Sequence, residues 1–220
     1  MARIFSYESK FSQIMLRLTH GCYLNLLWLV CSLPIVTLGA STAALYTVTF
    51  KIVNDRDGDL TAQFFRAFRD NFRQATTLWL ILLLVAAVLG TDIYILNKLR
   101  MAFTGPLAIA CTIGLALVIV ACLAWAVEFM YVFPLVAMVR NTNAAMLKNA
   151  LLIGTHYLFC TICVFVIHAA MAIAIIAVFT PLAVMGEGVC ALLSSYLLYP
   201  VLRACATDPS RHLSEDGSAS

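Results

Sequence analysis

Charged residues are scarce in this chain. Asp, Glu, Lys and Arg make up only 11% of its 220 residues, whereas 63% of the residues are apolar. Soluble domains carry about a quarter charged residues and roughly 45–50% apolar ones. A soluble fold cannot bury so much apolar surface. The composition therefore excludes that class and predicts an integral membrane protein, with the lipid bilayer as its partner.

Motifs for catalysis and phosphate binding are missing as well. The chain has no Gly-x-x-x-x-Gly-Lys loop, no His-Glu-x-x-His zinc motif and no Gly-x-Ser-x-Gly nucleophile elbow. Its net charge of +3 is too small to indicate nucleic-acid binding, and the basic residues lie between apolar runs. We therefore expect a protein that is not an enzyme and binds no cofactor, metal or nucleic acid.

The eight cysteines show no regular spacing. This favours the interpretation that they are small apolar residues of membrane helices rather than a disulfide framework. His156, Cys160 and Cys163 share one face of a predicted helix at spacings of four and three. A zinc site needs a further ligand from another helix, and no second pair of this kind is present in the sequence. We expect a helix-packing face here. We also expect His168 to be an interior residue whose ring nitrogens are hydrogen-bonded within the protein.

The stretch Leu24–Phe50 carries no charge and is interrupted by Pro34 and Gly39. One membrane span needs roughly 20 apolar residues, so two full spans would need about 40. The stretch is shorter than that. It is either one long span or a tight hairpin of two short helices that turns at Pro34–Gly39. The small residues after the turn predict a helix-packing seam, which comprises Pro34, Gly39, Ala40, Ser41, Thr42 and Ala43.

The distribution of Lys and Arg separates these alternatives. A hairpin puts 12 of the 14 basic residues on one side of the membrane and leaves Lys98 and Arg100 on the other. A single span would divide them 9 to 5. Because cytoplasmic loops carry the Lys/Arg excess, the hairpin is favoured, with both termini cytoplasmic.

The complete prediction is an all-α integral membrane protein with six membrane helical segments in one membrane domain, residues 1–203. Its first two segments are short. Two amphipathic segments, residues 1–20 and 60–73, are expected to lie in the membrane interface. The predicted parts are an interfacial helix at 1–20, a helical hairpin at 21–53, a first helix pair at 60–139, a second pair at 141–203 and a disordered cytoplasmic tail at 204–220.

The two helix pairs resemble each other. A shift of 75 residues aligns Pro106-Leu107-Ala108 with Pro181-Leu182-Ala183, and a nine-residue deletion then brings Pro134 onto Pro200. Two crossings per copy would give both copies the same orientation, as in a parallel repeat. Matches this short also arise by chance, so duplication and coincidence stay open.

Acidic residues are the candidates for function. Glu128 lies in a long apolar helix, where a carboxylate is a functional hypothesis by default. It lies about 33 Å from Pro106 at roughly 1.5 Å per residue, near the cytoplasmic interface. It either pairs with a basic residue of the 60–73 segment or serves a proton or substrate path. The basic candidates are Arg66, Arg69 and Arg73, which also predict contact with anionic lipid headgroups or a cytoplasmic partner.

Two further acids, Asp92 and Glu187, lie near the outer ends of predicted spans. Glu187 stands between Gly186 and Gly188, which predicts a turn that could line an outer mouth. Solvated loop acids are the favoured interpretation of both.

Four segments in this order carry a resemblance to a known family: Asn25–Val48, Phe64–Thr76, Tyr131–Ala137 and Leu147–Leu152. The chain resembles the YesL family, bacterial membrane proteins with a domain of unknown function. The resemblance implies a multi-pass plasma-membrane protein whose relatives are often encoded beside sugar-uptake transporters and glycan-degrading enzymes. It supplies no catalytic residues.

Two functional hypotheses follow. The first is a non-catalytic accessory protein of the plasma membrane, linked to carbohydrate uptake by ABC-type transporters through contact with sugar-transporter subunits. The second is a small transporter or channel with a path near Glu128. A polar cavity that reaches Glu128 would favour the transporter, and a dry seam would favour the accessory protein.

Overall fold

The computed structural model describes residues 10–56, 58–177 and 183–207, and every long element within these ranges is helical. Residues 1–9 and 208–220 lie outside the described residues, and with them most of the predicted tail and half of the predicted interfacial helix. The helices are α1 (Lys10–Ser32), α2 (Leu38–Val53), α3 (Leu60–Ala102), α4 (Pro106–Met138), α5 (Asn143–His156), α6 (Leu158–Ala177) and α7 (Ala183–Thr207).

A tight turn joins α1 to α2 and contains a short 3-10 segment, Ile35–Thr37. The two helices are antiparallel, since Trp28 Nε1 donates to Thr42 Oγ1 at 3.0 Å and the hydroxyls of Ser32 and Ser41 lie 2.5 Å apart. The break follows Pro34, which has no N–H to continue a helix. Helix α1 runs without interruption through the predicted boundary at residues 20 and 21.

Helix α2 is the centre of the bundle. Twelve of its 16 residues are buried, and it packs against α1, α3, α4 and α7. At its first turn, a Cβ on Gly39 would lie 2.5 Å from the carbonyl oxygen of Ala75 and 2.6 Å from Trp79 Cβ. Only glycine permits this approach of α2 to α3, as small residues do at close crossings of membrane helices.

Helices α3 and α4 form a long antiparallel hairpin. At 43 residues, α3 is about 65 Å long, twice the hydrocarbon thickness of roughly 30 Å. The side chain of Asp59 caps its start by accepting from the backbone N–H of Ala62. Gly105, at φ +74°, and Pro106 at the first helical position make the turn into α4. Away from α2 both helices expose large apolar side chains, as a lipid-facing surface requires.

The chain breaks at Tyr157, between α5 and α6. This break lies within the second predicted helix pair, residues 141–203, and separates α5 from the apolar segment Leu158–Ala177. A hydrogen-bonded chain crosses the break: Thr161 Oγ1 donates to the carbonyl of Gly154 at 2.7 Å and lies 2.8 Å from the hydroxyl of Tyr131 on α4. The interruption carries no proline or glycine at Tyr157 itself, so the local sequence gives no signal for it.

Helix α7 crosses α1 at Gly188 and Gly21, where a Cβ on Gly188 would lie 2.1 Å from the carbonyl oxygen of Gly21. It runs beside α2 as well, and the hydroxyls of Thr49 and Ser195 lie 2.8 Å apart in the buried interface. Helix α7 continues to Thr207, the last residue of the described range, so the predicted tail boundary at residue 204 falls inside a helix.

Five segments of the described chain are long and apolar enough to cross a membrane: Ile35–Val53, Leu60–Ala102, Pro106–Met138, Leu158–Ala177 and Gly186–Ala206. Helix α1 is not among them.

The all-helical class is confirmed for the described residues, and apolar helices of spanning length are present among them.

Candidate functional site

A partly open cavity of about 420 Å³ lies between α1, α2, α3, α4, α6 and α7. Its wall is aromatic and includes all three tryptophans of the chain, Trp28, Trp79 and Trp125, together with Phe129, Phe133 and Phe165. Volumes of 300–1,000 Å³ with apolar and aromatic walls and a few polar groups are typical of small-molecule sites. This cavity is therefore a candidate small-molecule site.

The three indoles are held by hydrogen bonds to the protein. Trp28 Nε1 donates to Thr42 Oγ1 at 3.0 Å, Trp79 Nε1 to the carbonyl of Ile35 at 2.8 Å, and Trp125 Nε1 to the carbonyl of Leu82 at 2.9 Å. Each indole has only this one donor. A molecule bound in the cavity would therefore contact the ring carbons of the tryptophans and would find no free N–H group on them.

The rings of α3 and α4 also pack against one another. Trp125 stacks on Phe129 with centroids 5.6 Å apart, and Phe129 lies edge to face with Phe133 at 5.9 Å. Trp79 lies 6.0 Å from Phe129. Separations of 4.5–7 Å are the favourable range for aromatic pairs, so this wall is a rigid, mutually supported surface.

The polar groups of the cavity include Glu187 on α7 and His168 on α6. Glu187 Oε1 lies 3.9 Å from His168 Nε2, and each side chain is 29% exposed. His168 Nδ1 lies 2.8 Å from the carbonyl oxygen of Val164. Because a carbonyl only accepts, Nδ1 donates its proton to Val164 at this contact.

The interpretation of Glu187 as a turn residue is wrong, because Glu187 lies within α7 and faces the cavity. Its two flanking glycines serve packing instead: Gly188 contacts Gly21, and a Cβ on Gly186 would lie 3.1 Å from Ile175 Cδ1. The signal that could have identified the site is an acid within an apolar span, flanked by glycines that permit close helix packing.

Glu128 lies half-buried in α4 and lines neither the aromatic cavity nor the polar cleft described below. It forms no ion pair with another described residue, so the predicted pairing with Arg66, Arg69 or Arg73 is not formed. Asp92, near the outer end of α3, is likewise outside both cavities.

The basic face of α3, defined by Arg66, Arg69 and Arg73, is exposed. These guanidinium groups form no ion pair with any described residue. The apolar face opposite them is divided, since Phe64 is fully buried while Phe65 and Phe72 are 49% and 40% exposed. The structure therefore leaves both charge and aromatic surface uncovered on this part of α3.

A smaller polar cleft of about 180 Å³ borders the basic face, between α2, α3 and the last turn of α4. Lys51, Arg66, Asp70 and Arg140 line it. Cations near the carbonyl end of a helix interact favourably with its dipole. The cleft is thus explained by the packing of basic side chains around the end of α4.

The remaining predicted residues are placed as follows. Pro34 is exposed at the tip of the α1–α2 hairpin, whereas Gly39, Ala40, Ser41, Thr42 and Ala43 are buried in α2. His156 is exposed at the end of α5 and does not share a helix with Cys160 and Cys163, because the chain breaks between them. The described residues contain no group of three His, Cys, Asp or Glu side chains that could hold a metal ion.

Comparison with protein families gives one match. A family model described as a protein of unknown function, DUF624, matches residues 22–93, which cover the second half of α1, the hairpin turn, α2 and most of α3. DUF624 is the YesL-type family. The resemblance to the YesL family is confirmed. No curated protein and no solved structure matches the chain. The matched region includes Trp28, Trp79 and the basic face of α3.

Proposed function

We propose that the protein is a non-catalytic, multi-pass accessory component of the bacterial plasma membrane, linked to carbohydrate uptake by ABC-type transporters. The observation that carries the proposal is the basic face of α3: three exposed arginines without an ion pair to any described residue. The link to carbohydrate uptake rests on the resemblance to the YesL family.

The proposed topology has six membrane segments and cytoplasmic termini. The five apolar segments support five of them. The second half of α1 is the sixth, because it is antiparallel to α2 and bonded to it near the hairpin turn. The first parts of α1 and α3 would lie in the cytoplasmic interface, where basic side chains are favoured.

The partner we propose is a transporter subunit with an acidic cytoplasmic surface. Exposed arginine is a good donor for such contacts because its planar guanidinium binds carboxylates through two hydrogen bonds. Phe65 and Phe72 add aromatic area beside the charges, and aromatic and arginine residues are enriched at protein interfaces.

Co-purification in a mild detergent tests the proposal. The tagged protein should bring down transporter subunits from cells that are grown on glycans. The double variant Arg69→Gln/Arg73→Gln should bring down at least about tenfold less, if the two contacts together contribute about 1.4 kcal/mol. Its matched control is Lys98→Gln/Arg100→Gln, which removes two exposed charges from the other end of α3.

Recovery of the tagged protein alone would count against the proposal, as would equal recovery of subunits with both double variants. If the protein comes down alone but binds vesicles of phosphatidylglycerol through Arg69 and Arg73, the basic face is a lipid-headgroup surface instead.

The transporter hypothesis receives no support from Glu128. Neither described cavity reaches its side chain, and a path near Glu128 would need a polar lining there.

A further inference from the structure

We propose that the aromatic cavity binds an organic cation with an apolar body, and that the carboxylate of Glu187 pairs with the cationic group. The site goes beyond the proposed accessory function, and nothing in the basic face of α3 bears on it. Its parts are an aromatic wall, a single carboxylate and a volume that suits a small molecule.

The wall favours cations over neutral polar molecules. Three indoles and several phenylalanine rings present π faces or edges, and the faces attract ammonium groups. The three indole N–H groups are already bonded to Thr42, Ile35 and Leu82. A molecule with many hydroxyl groups would find few donors on this surface and would lose its hydration without compensation.

The carboxylate of Glu187 accepts no hydrogen bond from another described residue. The separation of 3.9 Å between Glu187 Oε1 and His168 Nε2 is beyond hydrogen-bond range. A carboxylate in an apolar site is costly without a counter-charge, and a bound cation would supply one.

The position of Glu187 is fixed by the α1–α7 crossing. The backbone N–H of the next residue, Gly188, donates to Oδ1 of buried Asn25 at 2.8 Å. An anchored backbone of this kind lowers the ordering cost of binding, because the helix segment that carries the charged group is already in place.

Tryptophan fluorescence is a specific reporter here, because all three tryptophans of the chain line the cavity. The probe is benzyltrimethylammonium, compared with its uncharged carbon isostere, neopentylbenzene. Binding to the full-length protein in detergent is measured by titration calorimetry and located by fluorescence. We expect a saturable fluorescence change with the cation, and at least about tenfold weaker binding of the neutral isostere.

Two variants make the assignment specific. Glu187→Gln should weaken cation binding at least about tenfold while it leaves binding of the neutral isostere unchanged. Glu128→Gln removes an acid that does not line the cavity and should bind the cation like the wild type. The comparison of cation with isostere on the wild type needs no variant, so the test survives if Glu187→Gln does not fold.

Three results would overturn the proposal. They are the absence of both heat and fluorescence change with the cation, equal affinity for the cation and the isostere, and unchanged cation binding in folded Glu187→Gln. Equal affinity would assign the cavity to an uncharged apolar occupant such as a lipid acyl chain.

Discussion

The backbone N–H of Gly188 donates to the side-chain oxygen of Asn25 across the contact between α7 and α1, at an N···O distance of 2.8 Å. At the same crossing, the carbonyl of Gly21 occupies the space in which any Cβ on Gly188 would stand. The two helices therefore meet backbone to backbone, one residue away from Glu187. The crossing is what holds this acid at the cavity.

Replacement of Gly188 by alanine tests this crossing. The new Cβ would lie 2.1 Å from backbone oxygen, which cannot move as a flexible side chain can. We expect Gly188→Ala to lower the free energy of unfolding by about 1–3 kcal/mol, as overpacked interiors do, measured by thermal unfolding in detergent. The matched control is Gly90→Ala in α3, where nothing lies within 4 Å of the added Cβ.

For Gly90→Ala we expect no loss of stability, and a gain of up to about 1 kcal/mol, because alanine is the better helix former. If Gly188→Ala were as stable as Gly90→Ala, the close approach of α1 and α7 would be wrong.

The break at Tyr157 is bridged by the buried hydroxyls of Tyr131 and Thr161. Tyr131→Phe removes one hydrogen bond but leaves Thr161 its bond to Gly154. We expect a loss of about 0.5–1.5 kcal/mol, toward the lower end if the bond lies in lipid. The same change at exposed Tyr94, Tyr94→Phe, should have no effect in the same unfolding measurement. Equal effects at both positions would contradict the buried contact.

Arg17 joins three parts of the chain. Its guanidinium donates to Asp55 Oδ1 at 2.6 Å and to the hydroxyl of Tyr196 on α7. Asp55 is 80% exposed, and exposed pairs contribute about 0–1 kcal/mol. A double-mutant cycle of Arg17→Gln and Asp55→Asn should give a coupling below about 1 kcal/mol that shrinks as salt is added. A larger coupling free energy that does not change with salt concentration would mean that the pair is shielded from water.

Part of this fold follows from local chemistry. The hairpin turn coincides with a proline that lacks an N–H, and α4 starts at a glycine–proline pair suited to a helix start. The continuous course of α3 follows from the absence of proline between Leu60 and Ala102. These features depend on neighbouring residues, so the sequence is enough to predict them.

The candidate site depends on distant residues instead. Gly188 and Asn25 are 163 positions apart, and glycines beside an acid predict a turn unless the partner helix is known. Similarly, the break at Tyr157 is supported from α4 rather than by a local breaker residue. Glu128 was the more conspicuous acid in the sequence, yet the cavity forms around Glu187 because α6 brings His168 to it and α1, α3 and α4 bring the tryptophans.

The most direct test is to determine on which side of the membrane three points of the chain lie. An N-terminal tag and a reporter fused after Gly58 should both be cytoplasmic, and a reporter fused after Thr104 should be on the opposite side. This result places the basic face of α3 in the cytoplasm and makes α1 and α2 a membrane hairpin. A tag on the opposite side from Gly58, or an outside location for Gly58, would contradict the account.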